Sequence, residues 1–338
     1  MEKILSVENL RVSFNTYAGE VRAVRGVDFN LHAGETLAFV GESGCGKTVT
    51  AKAIMRLLKE DIADIKKDSK IIYKGKDVLK MSKKELQAYR GDEVGMIFQD
   101  PMSSLNPTMT CGNQIMESLI LHRDLDKKEA RQEALKMLKL VKIPDAEKRL
   151  DSYPHELSGG MRQRIMIAIA LACNPSVLIA DEPTTALDVT IQAQIMDLLN
   201  ELKHELNMAI ILVTHDLGVV ANFADKIQVM YAGQVIERGT IDEIFSAPKH
   251  PYTWALLKSV PKLSNENKQE LYALEGTPPD LILPLKHCPF AKRCKYGMKI
   301  CHEIMPDATN MTGSHEVSCW LMHPDAPKIE ADFHEEVK

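Results

Sequence analysis

The sequence lacks a long apolar run and any obvious export signal. Its longest uninterrupted apolar stretch runs from Ile165 to Cys173, far short of the about 20 residues that a membrane-spanning helix needs. The N-terminal sequence MEKILSVENLRVSF carries acidic residues early and has no apolar core of the kind found in secretory signals. We therefore expect a soluble, cytosolic protein.

The sequence also lacks an excess of basic residues and has few aromatic residues, and both features bear on whether it binds nucleic acid. The chain has 42 Lys and Arg residues against 47 Asp and Glu, a formal net charge of −5, and only 5% aromatic residues. Proteins that coat nucleic acid usually carry a basic excess, and single-strand binders use aromatic side chains as stacking platforms. We expect no nucleic-acid partner. The remaining composition, 45% hydrophobic and 26% charged over 338 residues, is that of a globular protein of about two domains.

What is present is an alternation of short apolar strands and helices, which predicts a mostly parallel α/β sheet. A nearly all-helical insertion occupies residues 100–175, and a proline-punctuated, loop-rich segment begins after about residue 245. The strands are predicted within residues 5–14, 21–24, 27–29, 36–40, 71–73, 94–98, 177–180 and 209–213. The main helices are predicted at 49–59, 126–141, 162–173 and 190–206.

One loop carries a phosphate-binding pattern. Gly41-x4-Gly46-Lys47-Thr48 matches the P-loop in full and stands between a predicted buried strand and a predicted helix. Its glycines let backbone N–H groups turn toward phosphate oxygens, and the helix adds its positive N-terminal end. Lys47 would reach the β- and γ-phosphates, and the Thr48 hydroxyl could bind Mg²⁺. The alternative is a glycine-rich turn without a ligand.

Polar residues also end three other predicted strands. Asp181 and Glu182 follow one strand, where Asp181 could hold Mg²⁺ and Glu182 could accept a proton from an attacking water. His215 and Gln99 follow two more, as a γ-phosphate sensor and a contact for metal or water. Parallel strands end at the same edge of a sheet, which favours a shared site. The alternatives are a solvated acidic turn and a structural histidine.

Taken together, these motifs resemble the ATP-binding cassette (ABC) family. Leu157-Ser-Gly-Gly-Met161 matches the family's signature, with Met161 where many members have Gln, and Ala186-Leu-Asp188 matches its D-loop. The resemblance implies a P-loop α/β cassette with a mixed sheet, a helical subdomain insertion and a small C-terminal, loop-rich, cysteine-containing extension. The expected division is 1–245 for the cassette, with its helical subdomain at about 100–175, and 246–338 for the extension.

The resemblance also implies a mechanism. Two cassettes pair head to tail, so that Ser158, Gly159 and Gly160 of each contact the ATP of its partner, with Asp188 in the D-loop beside them. Catalytic roles fall to Glu182, His215 and Gln99, and Mg²⁺ to Thr48, Gln99 and Asp181. ATP contacts are expected from Tyr17, which would stack on adenine, and from Gly41, Ser43, Gly44, Cys45, Gly46, Lys47 and Thr48.

Further motifs are similar to those of the oligopeptide/dipeptide permease branch. They are Phe98-Gln-Asp-Pro-Met-Ser-Ser-Leu-Asn-Pro107, Tyr153-Pro-His-Glu-Leu-Ser-Gly-Gly-Met161 and His250-Pro-Tyr-Thr-x-Ala-Leu-Leu257 with Ser259-Val-Pro261. The implied function is the ATPase subunit of a peptide importer. The implied partners are a second cassette (self or a related subunit), two transmembrane permease subunits and an extracytoplasmic solute-binding protein. The chain would lie peripherally on the cytoplasmic face of the membrane.

Other functions stay open at this point. Some members of the branch carry nickel or other small solutes. A soluble cassette ATPase acting on DNA or the ribosome is a second class, although such proteins usually have a long coiled-coil insertion or two cassettes in one chain. A regulatory cassette that barely turns over ATP is a third, and the intact Glu182 and His215 argue against it.

The chain has seven cysteines, and four of them follow residue 287. Cys288, Cys294, Cys301 and Cys319 lack the close C-x2–4-C pairs typical of structural zinc, and four thiolates suit a [4Fe–4S] cluster. The resemblance favours the cluster, since tail cysteines in this order bind one in the same branch. Zinc, redox disulfides or unrelated cysteines are the alternatives. We expect Cys45 to fill a small-residue slot in the P-loop.

Overall fold

The structure, a computed structural model, describes residues 2–185, 187–260, 274–329, 331 and 333. It forms two compact units. Unit 1 comprises the described residues of Met1–Leu5, Leu31–Thr36 and Ile72–Val213. Unit 2 comprises Ser6–Asn30, Leu37–Ile71 and Thr214–Lys338, as far as these are described. In the described part of the chain, no helix has the length and apolar character needed to cross a membrane.

The strands, in chain order, vary widely in length. They are β1 (Lys3–Thr16), β2 (Gly19–His32), β3 (Thr36–Val40), β4 (Ala63–Ile65), β5 (Lys70–Tyr73), β6 (Lys76–Asp77), β7 (Val94–Ile97), β8 (Val177–Asp181), β9 (Ala209–Thr214), β10 (Lys226–Tyr231), β11 (Gln234–Thr240), β12 (Thr309–Thr312) and β13 (His315–Val317).

Most of the helices lie between β7 and β9. They are α1 (Lys47–Ile54), α2 (Lys83–Ala88), α3 (Pro101–Ser104), α4 (Cys111–Arg123), α5 (Lys127–Leu140), α6 (Ala146–Arg149), α7 (Gly159–Leu171), α8 (Val189–Glu205), α9 (Leu217–Val220), α10 (Ile241–Ser246) and α11 (Pro251–Lys258). The succession α3 to α7 confirms the helical character predicted for residues 100–175.

In unit 1, β7, β8 and β9 form a parallel sheet with β8 in the middle. Every residue of β7 and β8 is buried, as expected for strands covered on both faces. The register pairs Ile97 with Ala180 and Asp181 with Val213. The carboxyl ends of the strands therefore lie at one edge, and this edge positions the polar residues that follow each strand.

In unit 2, β3 and β10 are parallel, and Val40 pairs with Val229. The antiparallel strand β11 follows β10, and the hairpin β12–β13 from the C-terminal extension pairs with β11. The extension was predicted to be loop-rich, yet it contributes two strands to this sheet and begins with the helix α11. The buried carboxylate of Glu237, on β11, holds the extension to this sheet. It accepts hydrogen bonds from His315 Nε2 at 2.8 Å and from the His250 N–H at 3.0 Å.

Three predicted elements differ from the structure by more than two residues. The helix predicted at 49–59 is α1, which ends at Ile54 because Arg56 takes a left-handed conformation (φ 49°) and Leu57 N–H donates to the Lys52 carbonyl, a Schellman stop. The helix predicted from residue 162 starts at Gly159, because the Ser158 hydroxyl caps it. The strands predicted at 21–24 and 27–29 form one strand, β2.

The predicted division between cassette and extension at residue 245 stays a prediction. Ala186 of the D-loop motif, and residues 261–273, 330, 332 and 334–338 of the predicted extension, lie outside the described residues.

Candidate functional site

The P-loop has a backbone that only glycine can adopt at two points. Gly41 and Gly46 have φ of 152° and 107°, in the region that side chains rarely enter. A Cβ at Gly41 would lie 2.3 Å from the Met230 carbonyl oxygen, and one at Gly46 would lie 2.5 Å from the Ala23 carbonyl oxygen. These glycines let the loop turn tightly between β3 and α1, where helix N–H groups lack intrahelical acceptors.

Lys47 begins α1 and is buried, with 5% of its surface exposed. Its Nζ donates to the Gly41 carbonyl at 2.6 Å and to the Glu42 carbonyl at 3.0 Å. The loop therefore wraps its own lysine, and the ammonium lies where an incoming phosphate could exchange with these carbonyls. Ser43 and Gly44, at the tip of the loop, are exposed. Positive charge, a helix N-terminus and an accessible tip together make an anion site.

Cys45 is predicted to fill a small-residue slot in the P-loop. Its side chain is buried, and burial raises the pKa of its thiol even though Lys47 opposes that shift. Its Sγ lies 3.8 Å from Lys47 Nζ. Cys111 and Cys173 are buried as well, and burial raises the pKa of the Cys111 thiol to about 11. Burial raises the pKa of the Cys173 thiol too, so all three thiols favour the protonated form.

Unit 1 brings two of the predicted catalytic residues together. Glu182 follows β8, its N–H donates to the Val213 carbonyl at 2.8 Å, and its carboxylate accepts from Gln99 Nε2 at 3.0 Å and from the Thr185 hydroxyl at 2.9 Å. Its φ of 49° is unusual for a non-glycine residue, and such strain is concentrated at functional sites. Asp181, at the end of β8, is 2% exposed.

Tyr17 and His215 belong to unit 2 and lie at the surface. Tyr17 occupies the turn between β1 and β2, and its side chain is fully exposed. His215 follows β9 directly and is also exposed. An exposed aromatic ring at a hairpin turn packs no core, so it is available to a ligand or partner.

The signature residues lie at the start of α7 in unit 1. Ser158 is the N-cap, and its hydroxyl accepts from the Met161 N–H. Ser158 and Gly159 are exposed, whereas a Cβ at Gly160 would lie 2.9 Å from Ile191 Cγ2 on α8. Asp188 is exposed and caps α8 by accepting from the Ile191 N–H at 2.9 Å. The signature is thus an open helix N-terminus on the surface of the chain.

The sequence did not predict that two residues of the C-terminal extension, Tyr252 and Arg293, hold the P-loop through Glu42. The Glu42 N–H donates to the Tyr252 hydroxyl at 2.8 Å. The Glu42 carboxylate accepts from both Nη atoms of Arg293, at 2.6 and 2.9 Å. This ion pair raises the pKa of the Arg293 guanidinium, whose side chain is 4% exposed. The only features of the sequence that could have indicated these contacts are Tyr252 within the His-Pro-Tyr motif and Arg293 next to Cys294.

The four late cysteines come together in unit 2. All are free thiols, and the Cys288 N–H donates to the Cys301 carbonyl at 3.1 Å. Burial raises the pKa of Cys288 and Cys294 to about 11 and that of Cys319 to about 12, and the charges of the other three thiols contribute at Cys319. Among the described residues, no group of three or more His, Cys, Asp or Glu side chains is arranged to hold a metal ion.

Comparisons with known proteins agree with these features. The ABC transporter family matches residues 24–185, and the family described as "Oligopeptide/dipeptide transporter, C-terminal region" matches residues 236–301. The chain is 56% identical over 328 residues to the oligopeptide transport ATP-binding protein OppD of Bacillus subtilis (strain 168), covering 97% of this chain and 91% of OppD. It is 56% identical over 321 residues to the dipeptide transport ATP-binding protein DppD of the same organism, covering 95% of each chain.

Solved structures of similar fold are also ABC cassettes. The ATP-binding cassette MJ0796, as a dimer in a post-hydrolysis state bound to ADP and Pi, has a TM-score of 0.63 and 29% identity and covers 70% of this chain and 99% of its own. The structure of cbiO1 from Clostridium perfringens, part of the ABC transporter complex cbiONQ, has a TM-score of 0.62 and 31% identity, covering 73% and 92% of the two chains. The predicted α/β cassette fold is confirmed.

Proposed function

The chain belongs to the ATP-binding subunits of ABC transporters, in the oligopeptide/dipeptide branch, and from this membership we propose that it hydrolyses ATP to drive peptide import. The observation that carries the proposal is the P-loop, with its two sterically required glycines and its buried Lys47 at the start of α1. We assign the cassette to residues 1–245, with its helical subdomain at about 100–175, and the extension to 246–338.

ATP binding is assigned to the P-loop and Tyr17. The Lys47 ammonium would exchange the Gly41 and Glu42 carbonyls for phosphate oxygens, since a charged acceptor makes the stronger hydrogen bond. Backbone N–H groups from Ser43 to Thr48 would bind the same phosphates, and the exposed Tyr17 ring would stack on adenine. The Thr48 hydroxyl, Gln99 and Asp181 would hold the Mg²⁺ that accompanies ATP and offsets phosphate charge.

Hydrolysis is assigned to Glu182, Gln99 and His215. Glu182 is the general base that takes a proton from the attacking water. The hydrogen bonds from Gln99 and Thr185 fix the orientation of its carboxylate. Gln99 would position the same water, and His215 would contact the γ-phosphate.

A second cassette is the partner that completes each site. Ser158, Gly159 and Gly160 would present the N-terminal end of α7 to the ATP held by the partner, with Asp188 beside them. The exposure of Ser158 and Gly159 supports this role, as does the dimeric state of MJ0796, a cassette of similar fold. The partner is either a second copy or a related subunit.

Two separate permease subunits are the partners that carry the solute across the membrane. Several large apolar side chains are exposed in and beside the helical subdomain, and they are Phe98, Met102, Ile120, Leu121 and Tyr153. Exposed apolar groups of this kind favour protein contact. Docking there would hold the chain peripherally on the cytoplasmic face of the membrane.

Peptide is the proposed solute, delivered by an extracytoplasmic solute-binding protein. The match of residues 236–301 to the peptide-transporter C-terminal region supports this choice over nickel. The test is uptake in cells lacking the gene. Wild-type protein should restore uptake of labelled di- and oligopeptides, and Lys47→Ala should not. Restored nickel uptake without peptide uptake would contradict the proposal, as would normal uptake of both in the deletion strain.

A [4Fe–4S] cluster is the proposed ligand of the four late cysteines. The support is the donor type alone, because Cys288, Cys294, Cys301 and Cys319 are free thiols of the kind that such a cluster takes, although the described side chains are not arranged as a metal site. If bound, a cluster would tie four points of the extension together. Anaerobically purified protein should be brown and contain about four irons per chain. A colourless protein with stoichiometric zinc would contradict this assignment.

A further inference from the structure

The C-terminal extension reaches the P-loop through one buried arginine. Arg293 lies between Cys288 and Cys294 in sequence, and both of its Nη atoms bind the Glu42 carboxylate. Its remaining hydrogen bonds go to the Glu275 carbonyl at 2.9 Å, the Leu274 carbonyl at 3.3 Å and the Tyr231 hydroxyl at 3.2 Å. A two-pronged guanidinium contact of this kind fixes orientation as well as charge.

Aromatic packing also connects the C-terminal extension to the region of the P-loop. The Phe290 ring, from the cysteine-bearing segment, lies 5.4 Å from each of Tyr231 and Tyr252, and the latter two rings are 4.7 Å apart. Tyr231 ends β10 and Tyr252 belongs to α11, so three chain segments meet behind the loop. Tyr252 also accepts the Glu42 N–H. We call Glu42, Tyr252 and Arg293 the P-loop clamp.

We propose that Arg293 is a positioning residue for ATP binding, acting through Glu42 to hold the P-loop in its phosphate-binding shape and to neutralise a carboxylate that would otherwise repel the nucleotide. The inference rests on the proposed ATPase function. Gly41, Gly44 and Gly46 have positive φ angles, and ordering such a glycine-rich loop costs conformational entropy. An anchor that orders the loop before the nucleotide arrives lowers the free-energy cost of binding. Nucleotide affinity thereby depends on the fold of the extension.

The test compares nucleotide dissociation constants of full-length variants with a matched charge control. Arg293→Gln should weaken ATP binding about tenfold, as expected for loss of a charged hydrogen-bond pair. Lys292→Gln removes a positive charge from the adjacent exposed residue and should leave affinity unchanged. In the assembled transporter, Arg293→Gln should raise the KM for ATP more than it lowers kcat. Arg293→Lys should restore affinity in part.

A second variant separates electrostatic positioning from damage to the fold. Glu42→Gln in the Arg293→Gln background removes the unpaired carboxylate and should recover part of the lost affinity. Further loss in the double variant, or equal affinity of Arg293→Gln and wild type, would overturn the inference. His315→Gln, which breaks the buried contact with Glu237, should lower the melting temperature without this change in affinity. Failure of the wild-type chain to bind ATP would instead count against the proposed function.

Discussion

The P-loop and the cysteine-bearing extension touch each other, yet they differ in how their roles are encoded. The P-loop works through its own backbone, since Gly41 and Gly46 are required by nearby carbonyl groups and Lys47 is wrapped by the loop that it serves. The extension acts on that loop from more than 200 positions away in sequence, through Tyr252 and Arg293. Local motifs in the sequence therefore indicate the chemistry, whereas the residues that support it are identified only by tertiary contacts.

The largest expected effect tests the P-loop side of this comparison. Lys47→Ala removes the buried ammonium and should lower ATP turnover by about 10³-fold, with weakened nucleotide binding, because phosphate charge is left uncompensated. Steady-state hydrolysis by the assembled transporter measures it. Lys59→Ala, at an exposed lysine beyond the end of α1, is the matched control and should behave as wild type. Normal turnover in Lys47→Ala would refute the assigned role.

Glu182→Gln tests whether the strained residue after β8 is the general base. Loss of the proton acceptor should reduce turnover by about 10²-fold or more while ATP still binds, so that ATP-bound cassette dimers accumulate. Size-exclusion chromatography with ATP measures the dimer. Glu205→Gln changes an exposed glutamate at the end of α8 and should leave both readings unchanged. Undiminished turnover in Glu182→Gln would rule out the base assignment.

The extension side of the comparison is tested by removing one proposed cluster ligand. Cys301→Ser should lose bound iron and about 3 kcal/mol of unfolding free energy, in the range for loss of a metal or cross-link. Iron analysis and chemical denaturation measure the two effects. Cys173→Ser, at a buried cysteine just after α7, should keep its iron. Equal iron contents in the two variants would contradict the cluster assignment.

A smaller effect concerns pH and the anchoring of α11. Burial lowers the pKa of His250 from 6.5 to about 4, against the opposing charge of Glu237, and its Nδ1 accepts the Tyr252 N–H at 3.0 Å. The folded state therefore favours neutral His250, and stability is lost as the pH falls from 6.5 toward 4. Between pH 7 and 5 the wild type should lose about 2 kcal/mol more than His250→Asn, which keeps a capping acceptor.

The measurement for this prediction is the free energy of unfolding in denaturant at the two pH values. Equal pH dependence in wild type and His250→Asn would show that His250 is not buried as a neutral ring.

The sequence predicts the structure best where a motif requires one local geometry. It predicted β3 at 36–40 and the parallel strands that carry Gln99 and Asp181, because buried apolar runs and turn residues mark them. It placed the end of α1 too late, since the left-handed Arg56 carries no sequence signal of the glycine type. It missed the β12–β13 hairpin and the P-loop clamp, which depend on pairing between distant segments.

Peptide import is tested most directly by ATP hydrolysis in lipid vesicles that contain this chain with the permease subunits, second cassette and solute-binding protein proposed as its partners. We predict that a bound peptide stimulates hydrolysis and enters the vesicle interior, and that Glu182→Gln abolishes both. Hydrolysis that is indifferent to peptide, or peptide uptake that persists with Glu182→Gln, would contradict the account.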